Sequence, residues 1–226
     1  MKKYAVIVAA GSGTRMGNTI PKQFILIKGR PVLYYTIHTF LKAFDDLEII
    51  LVLPQDYTGN GQEIIDAYFD KNRIRITAGG DSRFQSVKNG LQLVSEDDSI
   101  IFVHDGVRCL VTEPLIKRCY EQALATGTAV PVVSAKDSIR LLYEGGNKPL
   151  DRSKVMIVQT PQTFHGKILL PAFNIDYKDW FTDEAAVVES FGLKISLIEG
   201  EEDNIKITTP LDLLIAEKIF ESRQLK

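Results

Sequence analysis

Five short runs of apolar and β-branched residues, Tyr4 to Ala9, Glu48 to Leu53, Arg73 to Thr77, Ile100 to His104 and Ala129 to Val133, alternate along the chain with four amphipathic stretches. The runs are apolar almost throughout, as expected of strands covered on both faces. Between them, residues 31–43, 62–70, 83–94 and 114–125 carry apolar side chains at helical spacing. A βαβαβαβαβ order predicts a Rossmann-like α/β fold: a mostly parallel sheet flanked by helices, with right-handed crossovers.

Local punctuation adds detail. Thr209-Pro210-Leu211-Asp212 supplies a capping threonine, a proline at the first helical position and an acid at the third. Thr182-Asp183-Glu184 looks like another helix start, with acids where free N–H groups favour them. From about 138 to 159 the alternation weakens. There Glu144-Gly145-Gly146-Asn147 lies between the strand-like segments 139–143 and 154–158, which predicts a β-hairpin arm projecting from the sheet. A length of 226 residues suits one domain, residues 1–226, carrying that arm.

A formal charge of -2 excludes global attraction to nucleic acid or to an anionic membrane surface, so any polyanion chemistry must be local. No apolar run approaches the roughly 20 residues that span a bilayer. Lys2-Lys3 before Tyr4 to Ala10 superficially resembles a secretion signal, but glycines and Arg15 follow at once, so a buried strand is the better reading. Cys109 and Cys119 lack the density of a disulfide scaffold and the paired spacing of a zinc site. Reduced thiols in a cytoplasmic protein are expected.

The first strand runs into Ala9-Ala10-Gly11-Ser12-Gly13-Thr14-Arg15-Met16-Gly17. Small residues there let a ligand approach the backbone, and successive N–H groups can form an anion-binding concavity. The third glycine is one place late for a dinucleotide fingerprint, the second strand ends in Leu53-Pro54 without the expected acid, and no Gly-Lys-Ser/Thr follows. Arg15 within the loop and Lys22 after Pro21 instead add cations near a strand's carboxyl end, where open α/β sheets bind ligands. Asp105 closes the fourth strand, a position suited to holding Mg²⁺ with shared phosphates.

Ala-Ala-Gly-x-Gly-x-Arg-Met-Gly followed by Pro21-Lys22-Gln23 resembles the nucleotidylyltransferase superfamily. The Pro-Lys-Gln version resembles its 2-C-methyl-D-erythritol 4-phosphate cytidylyltransferases. Further segments follow in order: Gly79-Gly80-Asp81-Ser82-Arg83 with Ser86, His104-Asp105-Gly106-Val107-Arg108, Asp151-Arg152, Thr160-Pro161-Gln162, Thr182-Asp183-Glu184-Ala185 and Asp203-Asn204-Ile205-Lys206. The resemblance implies an enzyme that transfers CMP from CTP to a small phosphorylated polyol, with Mg²⁺ as cofactor. It implies catalytic roles for Arg15, Lys22 and Lys206, and metal ligation by Asp105 and Asp203. Ala9, Ala10, Gly11, Gly13, Gly80, Asp81, Ser86 and Asp105 would meet the nucleotide. Arg108, Ser138, Arg152, Thr182 and Asp183 would meet the acceptor, with Arg152 reaching a neighbouring subunit's site in a homodimer.

Two departures bear on the acceptor. Ser138 stands where many members carry Thr and keeps the hydroxyl, whereas Gly106-Val107 stands where they carry Ala-Ala, which keeps ribitol 5-phosphate as an alternative to methylerythritol phosphate. A nucleotide-binding regulator without catalysis is the reading from another class. Arg15, Lys22, Asp105 and Lys206 occurring together argue against it, and the displaced glycine and missing acid argue against a dehydrogenase.

Overall fold

The computed structural model of the chain describes residues 1–11 and 20–224. In chain order the elements are β1 (Lys2–Val8), β2 (Leu26–Ile27), β3 (Arg30–Pro31), α1 (Val32–Ala43), β4 (Leu47–Leu53), α2 (Thr58–Tyr68), β5 (Ile74–Ala78), α3 (Arg83–Leu91), β6 (Ser99–Asp105) and α4 (Glu113–Thr126). There follow β7 (Thr128–Ser134), β8 (Ile139–Tyr143), β9 (Gly146–Leu150), β10 (Met156–Val158), β11 (Gln162–His165), α5 (Gly166–Ala172), α6 (Glu184–Ser190), β12 (Leu197–Glu199) and α7 (Pro210–Gln224).

Among the described residues the main sheet has eight strands in the order β10-β7-β11-β6-β1-β4-β5, with β12 beside β7. β1 pairs in parallel with β4 and β6, so Val6 faces Ile50 on one side and Val103 on the other. The two-residue period sends successive side chains to opposite layers. Ala5 and Ile7 join Leu33, Ile37 and Phe40 of α1 and Leu115 of α4, whereas Tyr4 and Val6 join Phe84 and Val87 of α3, Leu169 of α5 and Val188 of α6. Each such Leu, Ile or Phe removed from water contributes about 1.5–3 kcal/mol.

The mostly parallel sheet flanked by helices is therefore as expected, but its right half is mixed. β11 is inserted antiparallel between β6 and β7. Gln-Thr-Phe-His carries one large apolar residue and no strand-like pattern, so its burial comes from its neighbours. The arm also differs in detail: Ile139–Tyr143 pairs with Gly146–Leu150, not with residues 154–158. Gly145 at φ +87° turns the chain within two residues, which brings the return strand in at Gly146. Residues 156–158 become β10, an edge strand on β7. α2 also starts at Thr58, earlier than residue 62, and α3 stops at Leu91, short of residue 94.

α7 opens on the expected reciprocal cap. The Thr209 N–H donates to Asp212 Oδ2 at 2.7 Å and the Asp212 N–H to Thr209 Oγ1 at 3.3 Å. Ala216 of this helix packs with Ile27, Val32, Val107, Leu110 and Ile207, against the carboxyl side of the sheet. No described helix is long and apolar enough to cross a membrane.

Candidate active site

The carboxyl ends of β1, β5 and β6 are drawn into one rim by backbone bonds that outlast the strands. The Ala9 N–H donates to Val52 O at 2.8 Å, Gly79 N–H to Leu53 O at 2.8 Å and Gly106 N–H to Val8 O at 2.9 Å. Loops this close tolerate no side chain at two points. A Cβ on Gly79 would lie 2.4 Å from Ala10 Cβ, and one on Gly106 2.8 Å from Ala9 Cβ. Between the loops opens a cleft of about 470 Å³.

Pro21-Lys22-Gln23 folds under that rim. Buried Gln23 donates from Nε2 to the Ala9 carbonyl at 2.7 Å, fixing the end of β1, and Lys22 Nζ donates to the Ile207 carbonyl at 2.9 Å. The Ile207 N–H in turn reaches Val107 O at 3.0 Å. Lys22, Lys206 and Thr208 thereby line the cleft together with Gly80, Asp81 and Ser82.

Asp105, at the end of β6, is the electrostatic centre. Its Oδ2 lies 2.9 Å from Lys206 Nζ and 3.4 Å from Arg108 Nε, and its Oδ1 lies 3.3 Å from Arg83 Nη2. Burial alone would raise its pKa, but Arg83, then Lys206 and Arg108, hold the carboxyl well below the usual carboxylate range. Arg83 also grips buried Glu184 through both terminal nitrogens, with Nη2 to Oε2 at 3.1 Å.

The backbone behind Asp105 is held by a neutral histidine. Asp105 N–H donates to Thr160 Oγ1 at 3.1 Å, and that hydroxyl lies 3.0 Å from His104 Nδ1. His104 Nε2 faces the Arg108 carbonyl at 3.2 Å, so Nε2 carries the proton and Nδ1 accepts from Thr160. Complete burial pushes this imidazole down to about 3.

The expected nucleotide residues Ala9, Ala10, Gly11, Gly80, Asp81, Ser86 and Asp105 all line the cleft, as do Lys22 and Lys206. Ser86 is engaged locally: its hydroxyl accepts from Gly80 N–H at 3.1 Å and donates to Ser82 O at 2.9 Å, shaping the loop. Gly13 and Arg15 lie outside the described residues.

The expected acceptor set is dispersed. Arg108 spends its guanidinium on Asp105 and on the Asn204 carbonyl at 2.8 Å, and so acts as a clamp. Asp183 caps α6 with one oxygen and accepts from Gln162 Nε2 at 2.9 Å with the other. Thr182, Ser138 and Arg152 are exposed and do not line this cleft, Arg152 donating to Lys136 O at 2.8 Å. Asp203 does not line the cleft in this structure. A tight turn, with Ile205 N–H on Asp203 O at 2.8 Å, buries Asn204, whose Nδ2 reaches Thr160 O at 2.8 Å. The Asp203 carboxylate is thereby turned outward, 3.7 Å from Arg223.

Among the described residues no three His, Cys, Asp or Glu side chains gather to cage a metal ion. Mg²⁺ commonly uses one or two carboxylates and takes its remaining oxygens from phosphates and water. Asp105 at the cleft floor fits a cation delivered with a nucleotide.

Sequence reasoning met Arg83, Glu184, Gln23 and Thr160 within the motif segments but gave them no role of their own. One signal was available for Arg83. It is the first residue of α3, after the Ser82 cap, where the helix dipole disfavours a cation unless a carboxylate waits for it.

A family model for 2-C-methyl-D-erythritol 4-phosphate cytidylyltransferase matches residues 4–222. The cytidylyltransferase of that name from Porphyromonas gingivalis is 44% identical over 222 residues, 98% of this chain and 99% of the relative. The one from Phocaeicola vulgatus is 42% identical over 220 residues, covering 97% of this chain and 100% of the relative. Among solved structures, a 4-diphosphocytidyl-2C-methyl-D-erythritol synthase from Anaerococcus prevotii superimposes with a TM-score of 0.83 at 27% identity, covering 97% of this chain and 98% of that one.

Proposed function

The chain belongs to the 2-C-methyl-D-erythritol 4-phosphate cytidylyltransferase family, and from that premise we propose that Lys22 and Lys206, in the cleft around Asp105, carry its transfer chemistry together with Arg15. The reaction is transfer of CMP from CTP to 2-C-methyl-D-erythritol 4-phosphate, a step of isoprenoid precursor synthesis. A phosphate oxygen of the acceptor attacks the α-phosphorus of CTP, the bond to the β-phosphate breaks, and pyrophosphate leaves. A phosphate monoester loses its second proton near pH 6, so the nucleophile is ionised at neutral pH and no general base is needed. The task left to the protein is to hold two polyanions together and to compensate charge on the reacting phosphorus and the leaving pyrophosphate.

One observation carries this assignment of roles: Lys22 and Lys206 both line the cleft at the carboxyl edge of the sheet, where Lys206, Arg83 and Arg108 reach a buried carboxylate. Ala9, Ala10 and Gly11 leave room for ribose and phosphates, and the loop at Gly80, Asp81 and Ser86 takes the cytosine. Asp105 holds Mg²⁺ when the nucleotide brings it, and the ion supplies neutralisation and orientation of the phosphate oxygens.

The arm and edge strand support a homodimer. Leu142 is 77% exposed, and Leu141, Tyr143, Met156, Ile157 and Val158 are exposed with it. Burying them against a second copy would bring Arg152, which follows the arm, toward a neighbour's acceptor site. We take the chain as one domain with this arm. A cytoplasmic setting suits its two free, buried cysteines, whose thiols burial pushes up to about 12.

A pyrophosphate-release assay with CTP and either 2-C-methyl-D-erythritol 4-phosphate or ribitol 5-phosphate tests the reading. Turnover of the first acceptor is expected. Its absence, or preference for ribitol 5-phosphate, overturns the assignment.

A further inference from the structure

Glu184 is a buried carboxylate that the transfer chemistry leaves without a task. Its side chain is 1% exposed, and it meets the cleft only through Arg83. Stability is a weak reason for such a pair, because a buried ion pair is often no more stabilising than apolar residues of similar volume. Its place in the fold is also costly on one side. Arg83 is the first residue of α3, at the end whose dipole repels a cation, while Glu184 is the first residue of α6, at an end that favours it.

The structure invests in keeping Glu184 still. Gln162 of β11 accepts from the Ala185 N–H at 2.8 Å and donates to Asp183 at 2.9 Å, tying the first turn of α6 to the sheet beside β6. Glu184 then takes both terminal nitrogens of Arg83, and only Nη2 is shared with Asp105, at Oδ1. A guanidinium released from Glu184 can turn to a two-point fork on Asp105, the preferred geometry of an arginine and a carboxylate. That fork would claim Oδ2, the oxygen now facing Lys206 and Arg108.

We infer that Glu184 and Arg83 are positioning residues for the nucleotidyl transfer: Glu184 restrains Arg83 so that it holds Asp105 in place by one oxygen without claiming the other, which stays paired with Lys206 and Arg108 at the cleft. The inference rests on the cleft being the transfer site. It makes the pair one functional unit, in which removing either member costs about as much as removing both.

The test compares Glu184→Gln, Arg83→Gln and the double variant, with kcat and KM from pyrophosphate release and CTP affinity from calorimetry. Glu184→Gln is expected to lower kcat by about 10- to 100-fold, the range seen when a group supporting a ligating residue is removed, with CTP affinity changed by less than about threefold. The double variant should be no slower than Arg83→Gln. Should a single variant fail to fold, Arg83→Met combined with Glu184→Leu replaces the pair by apolar volume, and is expected to fold yet show the same loss of kcat. Wild-type kcat in Glu184→Gln or in the apolar double variant overturns the inference, as does a double variant whose loss is the product of the two single losses. An inactive wild-type protein overturns instead the assignment of the reaction.

Discussion

Acid sensitivity of the fold should be concentrated at His104. The imidazole is fully buried, donates from Nε2 to Arg108 O and accepts at Nδ1 from Thr160, so neither ring nitrogen has room for a second proton without breaking a bond. Burial holds it neutral down to about 3, against about 6.5 in an unfolded chain. Because the folded value lies below the unfolded one, the stabilisation is complete above the unfolded value and is lost as pH falls toward the folded one. Between about pH 8 and about pH 5, linkage for this one group amounts to a loss of about 2 kcal/mol. His104→Gln keeps an acceptor for Thr160 and a donor for Arg108 but does not titrate. Urea unfolding of both proteins at the two pH values gives the comparison, with all carboxylates and His38 common to both. The variant is expected to be less stable at the higher pH and to lose about 2 kcal/mol less on acidification. Equal losses in the two proteins would refute the neutral, doubly bonded imidazole.

Three further outcomes follow from the geometry. Lys22→Ala should lower kcat/KM by about 2–4 kcal/mol of transition-state stabilisation with an unchanged circular dichroism spectrum, and an unchanged kcat/KM removes Lys22 from the chemistry. Gly79→Ala places a Cβ 2.4 Å from Ala10 Cβ and 2.9 Å from Ser86 Oγ. It should cost about 1–3 kcal/mol in urea unfolding and raise KM for CTP, and a neutral result would show that the rim yields. Leu142→Asp, at a position 77% exposed in one chain, should leave monomer stability within about 0.5 kcal/mol yet shift sedimentation from dimer to monomer. A dimer that persists excludes this face of the arm from the interface.

The left half of the sheet was legible because burial on both faces leaves continuous apolar runs, as in residues 49–53 and 100–103, and the cleft rim because Ala9-Ala10-Gly11 and Gly79-Gly80 are small where backbones meet. β11 was not legible, since Gln162 and Thr163 are buried by their neighbours. Asp203 shows a second limit. Whether Asp203 or Asn204 turns inward depends on one tight turn in an irregular segment, where no period of two or 3.6 assigns faces. Arg83 and Glu184 show a third, because they lie 101 positions apart and meet only when two helix starts converge on β6. Residue type reveals a cation near phosphate-sized space; it does not reveal which carboxylate restrains that cation. Asp105 was therefore readable as an acid beside phosphate, whereas in the fold three cations converge on it, and its availability to a ligand is set by how tightly each of them is held elsewhere. The Ile207 carbonyl anchors Lys22, the Asn204 carbonyl anchors Arg108 and Glu184 anchors Arg83, which leaves Lys206, 38% exposed and bonded to Asp105, as the cation best placed to leave the carboxylate for an incoming phosphate.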